Sequence, residues 1–188
     1  HYCVVEWPVK NRQDWLRVRD RHLALDDASR FPADWPDKVR EYRTRDYPLQ
    51  LTHGGVYGFG RTLMGDVNLA YAFYDEPGLV HEMFEHYTEL VLRLWEKMAA
   101  EAEFDLIEFW EDMASKNGSI ISPDTFREFI APQYRRVAEF ARRKGIRIIL
   151  TDSDGNTEDL AGWMQEAGLT AMYPFEVGAG NDLFKARA

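Results

Sequence analysis

The chain has 188 residues, an apolar fraction of 45% and a formal net charge of −9 at pH 7. That length can bury a sizeable core, and the acidic balance argues against a nucleic-acid surface, which needs clustered Lys and Arg to displace counterions. A single cysteine, Cys3, can neither close an internal disulfide nor assemble a thiolate zinc site, so a reducing cytoplasm is expected; no apolar run approaches the ~18 residues of a membrane span.

The stretch opens at His1 without an initiator Met or a leader pattern, so a start inside a longer protein is expected. Residues 1–47 read as an irregular cover segment. Val4, Val5 and Trp7 suggest a short strand, Asp14 to His22 a short charged helix, and Phe31-Pro-Ala-Asp-Trp-Pro a proline-interrupted loop. Its aromatic content favours a packed cover over a functional lid.

From Pro48 the pattern changes, and residues 48–188 read as a succession of strands and helices. Pro48 to His53 is expected as a strand closed by Gly54-Gly55. The segment through Gly58, Gly60 and Arg61 is expected as a glycine-rich loop able to approach a ligand closely. Pro77 opens a helix running to about Glu101, with Leu79, Met83, Tyr87, Leu90, Leu94 and Met98 on one face. There follow a strand over 104–110, a helix over 123–144, a strand over 146–151, a helix over 157–167, a strand over 169–173 and a helix from Asn181 onward. Ser122 and Pro123 give the second long helix its start, and Gly145 its stop. The basic run Arg135, Arg136, Arg142, Arg143 and Lys144 lies toward that helix's C-terminus, where cations favour the dipole.

Strand, helix, strand, helix with short connections implies an α/β fold with a parallel sheet and right-handed crossovers. About four such units are present, and a full (β/α)8 TIM barrel needs ~250 residues. The expectation is therefore about half of a barrel, with an open doubly wound sheet as the other solution. Half a barrel leaves open strand edges, so the rest of its own barrel or a homo-oligomeric partner is expected to cover them.

In either architecture the loops leaving the carboxyl ends of strands build the site. Glu111, Asp112, Asp152 and Asp154 are expected to converge there. Asp112 and Asp152 are candidates for charge stabilisation or proton transfer, and His53, at a strand end, for acid, base or positioning work. Tyr57, Arg61, Glu111, Lys116, Asp154, Asn156 and Glu176 are the candidate substrate-binding residues. Glu108, inside the strand, needs a partner such as His53 or an arginine. Asp152-Ser-Asp154-Gly-Asn156 fails as a calcium loop, because Thr157 stands where Gly is required and Trp163 where a bidentate Glu is. No metal is expected; any hard divalent cation would sit on Asp152 and Asp154. His81 and His86 are too widely spaced for a zinc-protease helix, since Glu85 occupies the fourth position after His81.

Together Gly58-Phe-Gly-Arg-Thr-Leu-Met-Gly65, Tyr74-Asp-Glu-Pro77, Glu111-Asp-Met-Ala, Ile121-Ser-Pro-Asp-Thr-Phe-Arg-Glu-Phe129, Pro132 and Asp152-Ser-Asp-Gly-Asn156 resemble the uroporphyrinogen decarboxylase superfamily. The resemblance covers most of residues 48–184. It implies a (β/α)8 barrel and a cytoplasmic enzyme, either a cofactor-independent decarboxylase of a tetrapyrrole or related carboxylate or a methyltransferase linked to a corrinoid protein, with a non-thiolate site whose metal is held by oxygen ligands or absent. A non-catalytic binding protein on the same barrel is a third possibility. In the methyltransferases the segment similar to Asp152-Ser-Asp154-Gly155 reads His-x-Cys-Gly and binds zinc. Carboxylates at 152 and 154 remove both soft ligands. The tetrapyrrole-binding aspartate and arginines of the decarboxylases lie in an N-terminal segment without a counterpart here. The visible counter-charges for an anionic substrate are then mainly Arg61 and Lys116.

Overall fold

The computed structural model describes residues 6–185. Four parallel strands form one sheet in the order β1 (Gln50–Gly54), β2 (Leu106–Trp110), β5 (Ile148–Asp152), β6 (Ala171–Tyr173). The order in space follows the order in the chain, without the reversal that defines a doubly wound sheet. Right-handed crossovers that always step the same way place their helices on one face. Helices α5 (Pro77–Glu101) and α7 (Ala131–Lys144) accordingly pack side by side. This is about half of a (β/α)8 barrel, as the strand and helix succession led one to expect.

Side-chain parity separates the two faces. Leu51, Ile107, Phe109 and Ile149 are buried against Met83, Phe84, Tyr87, Val91 and Trp95 of α5 and against Tyr134, Val137, Phe140 and Ala141 of α7. Trp95 lies between Phe109 and Phe140, at ring distances of 5.9 and 5.8 Å. The strand register aligns the opposite parity into rungs: Gln50, Leu106 and Ile148; then Thr52, Glu108, Leu150 and Ala171; then Gly54, Trp110, Asp152 and Tyr173. These line what would be the barrel interior, and Ile148, Trp110 and Tyr173 are well exposed on it.

The chemistry of the helix ends matches the sequence expectation for the 123–144 segment. The Ser122 hydroxyl accepts from the Thr125 amide at 3.0 Å, Pro123 follows, and Gly145 takes a left-handed φ of 76°. Between α6 (Pro123–Thr125) and α7 the helix widens into a π turn over Phe126–Ile130. Pro132 has no amide to donate four residues back, and the Ala131 amide reaches five residues back to the Phe126 carbonyl. Part of the basic run is paired: Arg136 meets Glu89, and Arg143 and Lys144 both meet Glu96.

Four expectations need correcting. The glycine-rich loop is a helix, α3 (Val56–Met64), followed by α4 (Asp66–Asp75). Its glycines serve packing: a Cβ on Gly60 would lie 2.8 Å from the Phe84 ring, and one on Gly58 3.0 Å from the Trp110 carbonyl oxygen. The short charged helix expected at Asp14 to His22 is present as α1 (Arg12–His22), but the proline-interrupted loop runs into a second helix, α2 (Trp35–Tyr42), with Pro36 as its opener. Both dock on α5, where the Trp15 indole donates to Glu82 at 3.2 Å and the Trp35 indole to Glu101 at 3.1 Å. Residues Asn181 to Phe184 form no regular helix among the described residues. A short hairpin, β3 (Ala114–Ser115) and β4 (Gly118–Ser119), was not expected. The strand suggested at Val4 and Val5 lies outside the described residues, and no helix is long and apolar enough to cross a membrane among them.

Candidate functional site

The carboxyl ends of β1, β2, β5 and β6 meet at the rung Gly54, Trp110, Asp152 and Tyr173. Backbone pairing continues one step further: the Gly55 amide donates to the Trp110 carbonyl at 2.8 Å, Glu111 to Asp152 at 3.0 Å, and Ser153 to Tyr173 at 3.0 Å. The loops that carry the chemistry therefore leave the sheet together, in register.

Asp112 adopts a left-handed φ of 50°, which Asp tolerates better than most residues. Its Oδ1 accepts from the Asp154 amide at 3.3 Å, and Arg61 donates to its carbonyl oxygen at 3.1 Å with the carboxylate at 3.6 Å. The Arg61 guanidinium also covers the Trp110 ring at 4.9 Å. Asp152 is half-buried, and this burial raises its carboxyl above the usual aspartate range. The charges of Asp112, Asp154 and Glu108 push in the same direction, while a hydrogen bond from Tyr173 opposes them. Asp112, Asp152 and Asp154 thus converge as expected.

Glu108 is held differently from expectation. The Gln50 side-chain amide donates to it at 2.6 Å and the Tyr173 hydroxyl donates to its other oxygen, so neither His53 nor an arginine is its partner. Gln50, Tyr173 and Trp110 were not singled out from the sequence. Only the strand register reveals them, because it shows which residues on neighbouring strands share a rung with the carboxylates.

Glu111 and His53 do not reach the mouth. Glu111 is 0% exposed and turns back to cap the start of α3. It accepts from the Gly58 amide at 2.8 Å, the Tyr57 amide at 3.4 Å and the Tyr134 hydroxyl. Burial raises its carboxyl to about 8 against the pull of those amides and of Arg61. His53 has the parity of Phe109 and faces the helix layer, where Nδ1 lies 3.0 Å from the Gly54 carbonyl and contacts the Tyr87 hydroxyl. Burial lowers its pKa. Tyr57 is also buried, with its hydroxyl pushed up to about 12 by that burial.

The remaining candidates fall into two groups. Lys116 sits exposed on the β3–β4 turn, and Asp154 is exposed beside Asp112. Glu176 and Asn156 brace the loop instead: Glu176 accepts the Gly155 amide at 2.7 Å, and Asn156 donates to the Ala179 carbonyl at 3.1 Å. Buried Asn181 completes the brace, accepting from the Thr157 amide at 2.8 Å and donating to the Gly155 carbonyl at 2.8 Å. A Cβ on Gly155 would lie 2.8 Å from the Ser115 carbonyl oxygen, which fixes the hairpin against this loop. Among the described residues, no group of three or more His, Cys, Asp or Glu side chains is placed to hold a metal ion.

The family model for uroporphyrinogen decarboxylase (URO-D) matches residues 57–183, well over half of the chain. The chain belongs to the uroporphyrinogen decarboxylase family. The match spans the mouth residues from Tyr57 through Glu176. The fold is similar to that of a methyltransferase from Methanosarcina mazei, at a TM-score of 0.55 and 20% identity, over 80% of this chain and 47% of that one. The chain thus spans about half the length of that relative. No curated protein matches it significantly.

Proposed function

We propose that the chain supplies the catalytic mouth of a cofactor-independent decarboxylase acting on a tetrapyrrole carboxylate or a related nitrogen heterocycle. One observation carries this reading. Asp152, its carboxyl raised by burial and by three neighbouring carboxylates, stands at the strand ends between Trp110 and Tyr173. A carboxyl whose burial and acidic neighbours favour its protonated form is suited to deliver a proton to carbon.

The step needs no external electron carrier. The carbon–carboxylate bond breaks, carbon dioxide leaves, and the electron pair remaining on carbon takes the Asp152 proton. Asp112, 3.6 Å from the Arg61 guanidinium, would hold ring NH groups as positive charge develops on the heterocycle. Trp110 offers an aromatic surface with 44% exposure for a flat ring.

The donor set disfavours a zinc-thiolate form of the rival methyl transfer and leaves a non-thiolate form as the alternative. Asp152 and Asp154 offer hard oxygens where the family's methyltransferases are similar to one another in carrying His and Cys. Asp152 lies beside Tyr173 in its rung, and Asp154 is exposed. The test is carbon dioxide release from uroporphyrinogen and smaller pyrrole carboxylates by the intact protein, with Asp152→Asn alongside. Turnover that falls at least a hundredfold in Asp152→Asn is the expected result. Demethylation of methylcobalamin without carbon dioxide release would replace this reading with methyl transfer.

A further inference from the structure

On the inner face of the sheet, one hydrogen-bonded chain links β1, β2 and β6 across β5. Gln50 on β1 donates to one oxygen of Glu108 on β2, and the Tyr173 hydroxyl on β6 donates to the other. Asp152 on β5 is the neighbour of Tyr173 in the rung, on the same face of the sheet. Glu108 and Tyr173 lie on different rungs with β5 between their strands, so the phenol must lie across β5 to reach the glutamate. Among the described residues Glu108 has no cation as a hydrogen-bond or ion-pair partner, and its two donors are neutral.

We propose that Tyr173 is a positioning residue that joins Glu108 and Asp152 into one proton-sharing unit. A hydroxyl has one proton to donate and lone pairs to accept with. While Tyr173 donates to Glu108, its oxygen can accept only from a protonated Asp152. The chain Asp152 to Tyr173 to Glu108 therefore places the proton on the carboxyl nearest the strand ends. When Asp152 gives that proton to a carbon, the Tyr173 hydroxyl turns from Glu108 to the new Asp152 carboxylate. One O–H bond breaks and one C–H bond forms, and the phenol keeps its proton throughout.

The charged and titratable groups facing Asp152 are Glu108 on β2, Asp112 after β2, Asp154 after β5 and Tyr173 on β6, with Arg61 behind Asp112. Removing the charge of Glu108 and removing the phenol should therefore act on Asp152 in opposite senses. The catalytic part of this inference rests on the proposed decarboxylation; the proton sharing does not.

The experiment is a carboxyl-carbon NMR titration of Asp152 in the intact protein, compared with Glu108→Gln and Tyr173→Phe. The Asp152 midpoint is expected to move down in Glu108→Gln, which loses a neighbouring negative charge. It is expected to move up in Tyr173→Phe, which loses the donor to the carboxylate. A midpoint unmoved by either variant would overturn the proposal, as would shifts of the same sign. In parallel, carbon dioxide release should show kcat falling at least tenfold in Tyr173→Phe with KM within about twofold, because the phenol acts through Asp152. Opposite NMR shifts without carbon dioxide release in any form would leave the proton-sharing unit standing and remove the decarboxylase reading.

Discussion

Glu111 gives the sharpest thermodynamic prediction. Its carboxyl is fully buried at the start of α3, and burial moves it from an ordinary 4.5 to about 8. The folded protein therefore holds this proton over a range in which the unfolded chain has released it. Stability from this group is fully present below about 4.5 and is lost as the pH climbs through about 8. The displacement corresponds to about 5 kcal/mol at its full extent. Glu111→Gln keeps one acceptor oxygen, where Glu111 offers separate oxygens to the Gly58 and Tyr57 amides, and it cannot ionise. Urea unfolding of the intact protein and of Glu111→Gln at pH 5, 6, 7, 8 and 9 is the assay, read as the difference between the two. The many surface carboxylates contribute alike to both proteins and cancel in that difference. The glutamine variant should gain on the parent steadily with pH, by several kcal/mol across the range. A constant difference would refute the reasoning: it would mean that the helix amides and the Tyr134 hydroxyl hold Glu111 ionised throughout.

Other predictions follow from the same geometry, each read by chemical denaturation. Gly55→Ala should destabilise by about 3 kcal/mol, since the new Cβ would sit 1.9 Å from the buried Glu111 carboxyl carbon. Gly145→Ala should cost only about 1 kcal/mol, because a Cβ there meets nothing within 4 Å and the loss is that of a left-handed φ of 76°. Equal costs at the two glycines would contradict the packing account. Arg61→Lys should lose about 1 kcal/mol, as an ammonium cannot both spread over Trp110 and reach the Asp112 carbonyl as the guanidinium does. His53, held neutral by burial, contributes stability that is present above its ordinary 6.5 and is lost as the pH falls, so His53→Gln should show a shallower acid-side loss.

The sequence carried the fold well where one physical rule governs one segment. The apolar run Ile146 to Leu150, the cap at Ser122 and the stop at Gly145 each depend on neighbours within a few residues. The reading failed at α3 because Gly58 and Gly60 look like loop formers. Their use is tertiary: they let a helix approach Trp110 and Phe84. Two tightly packed glycines in a helix leave no local mark that separates them from a loop. The site divides in the same way. Asp112, Asp152 and Asp154 were legible from their place just beyond strands, a rule that needs no register. Tyr173 and Gln50 required the register, and Glu111 required knowing which way a side chain turns beyond the end of a strand.

Glu111 and Asp112 show how finely that last step divides function. The two acids are adjacent, and both receive donors from α3. Glu111 accepts from the amides of Tyr57 and Gly58, and Asp112 from the guanidinium of Arg61 about one turn further on. The left-handed φ at Asp112 turns the chain, so that one carboxyl caps the helix from within and the other opens toward Asp154. A helix pinned at its first turn by a buried acid keeps Arg61 within reach of Asp112 and over Trp110. The mouth's cation is therefore already committed to protein groups. An anionic substrate would have to displace that pairing or find its cations elsewhere, whereas ring NH donors can bind the outward carboxylates directly. The same arrangement that stabilises α3 thus sets the electrostatic preference of the mouth, and charge reversal at Asp112 should alter both.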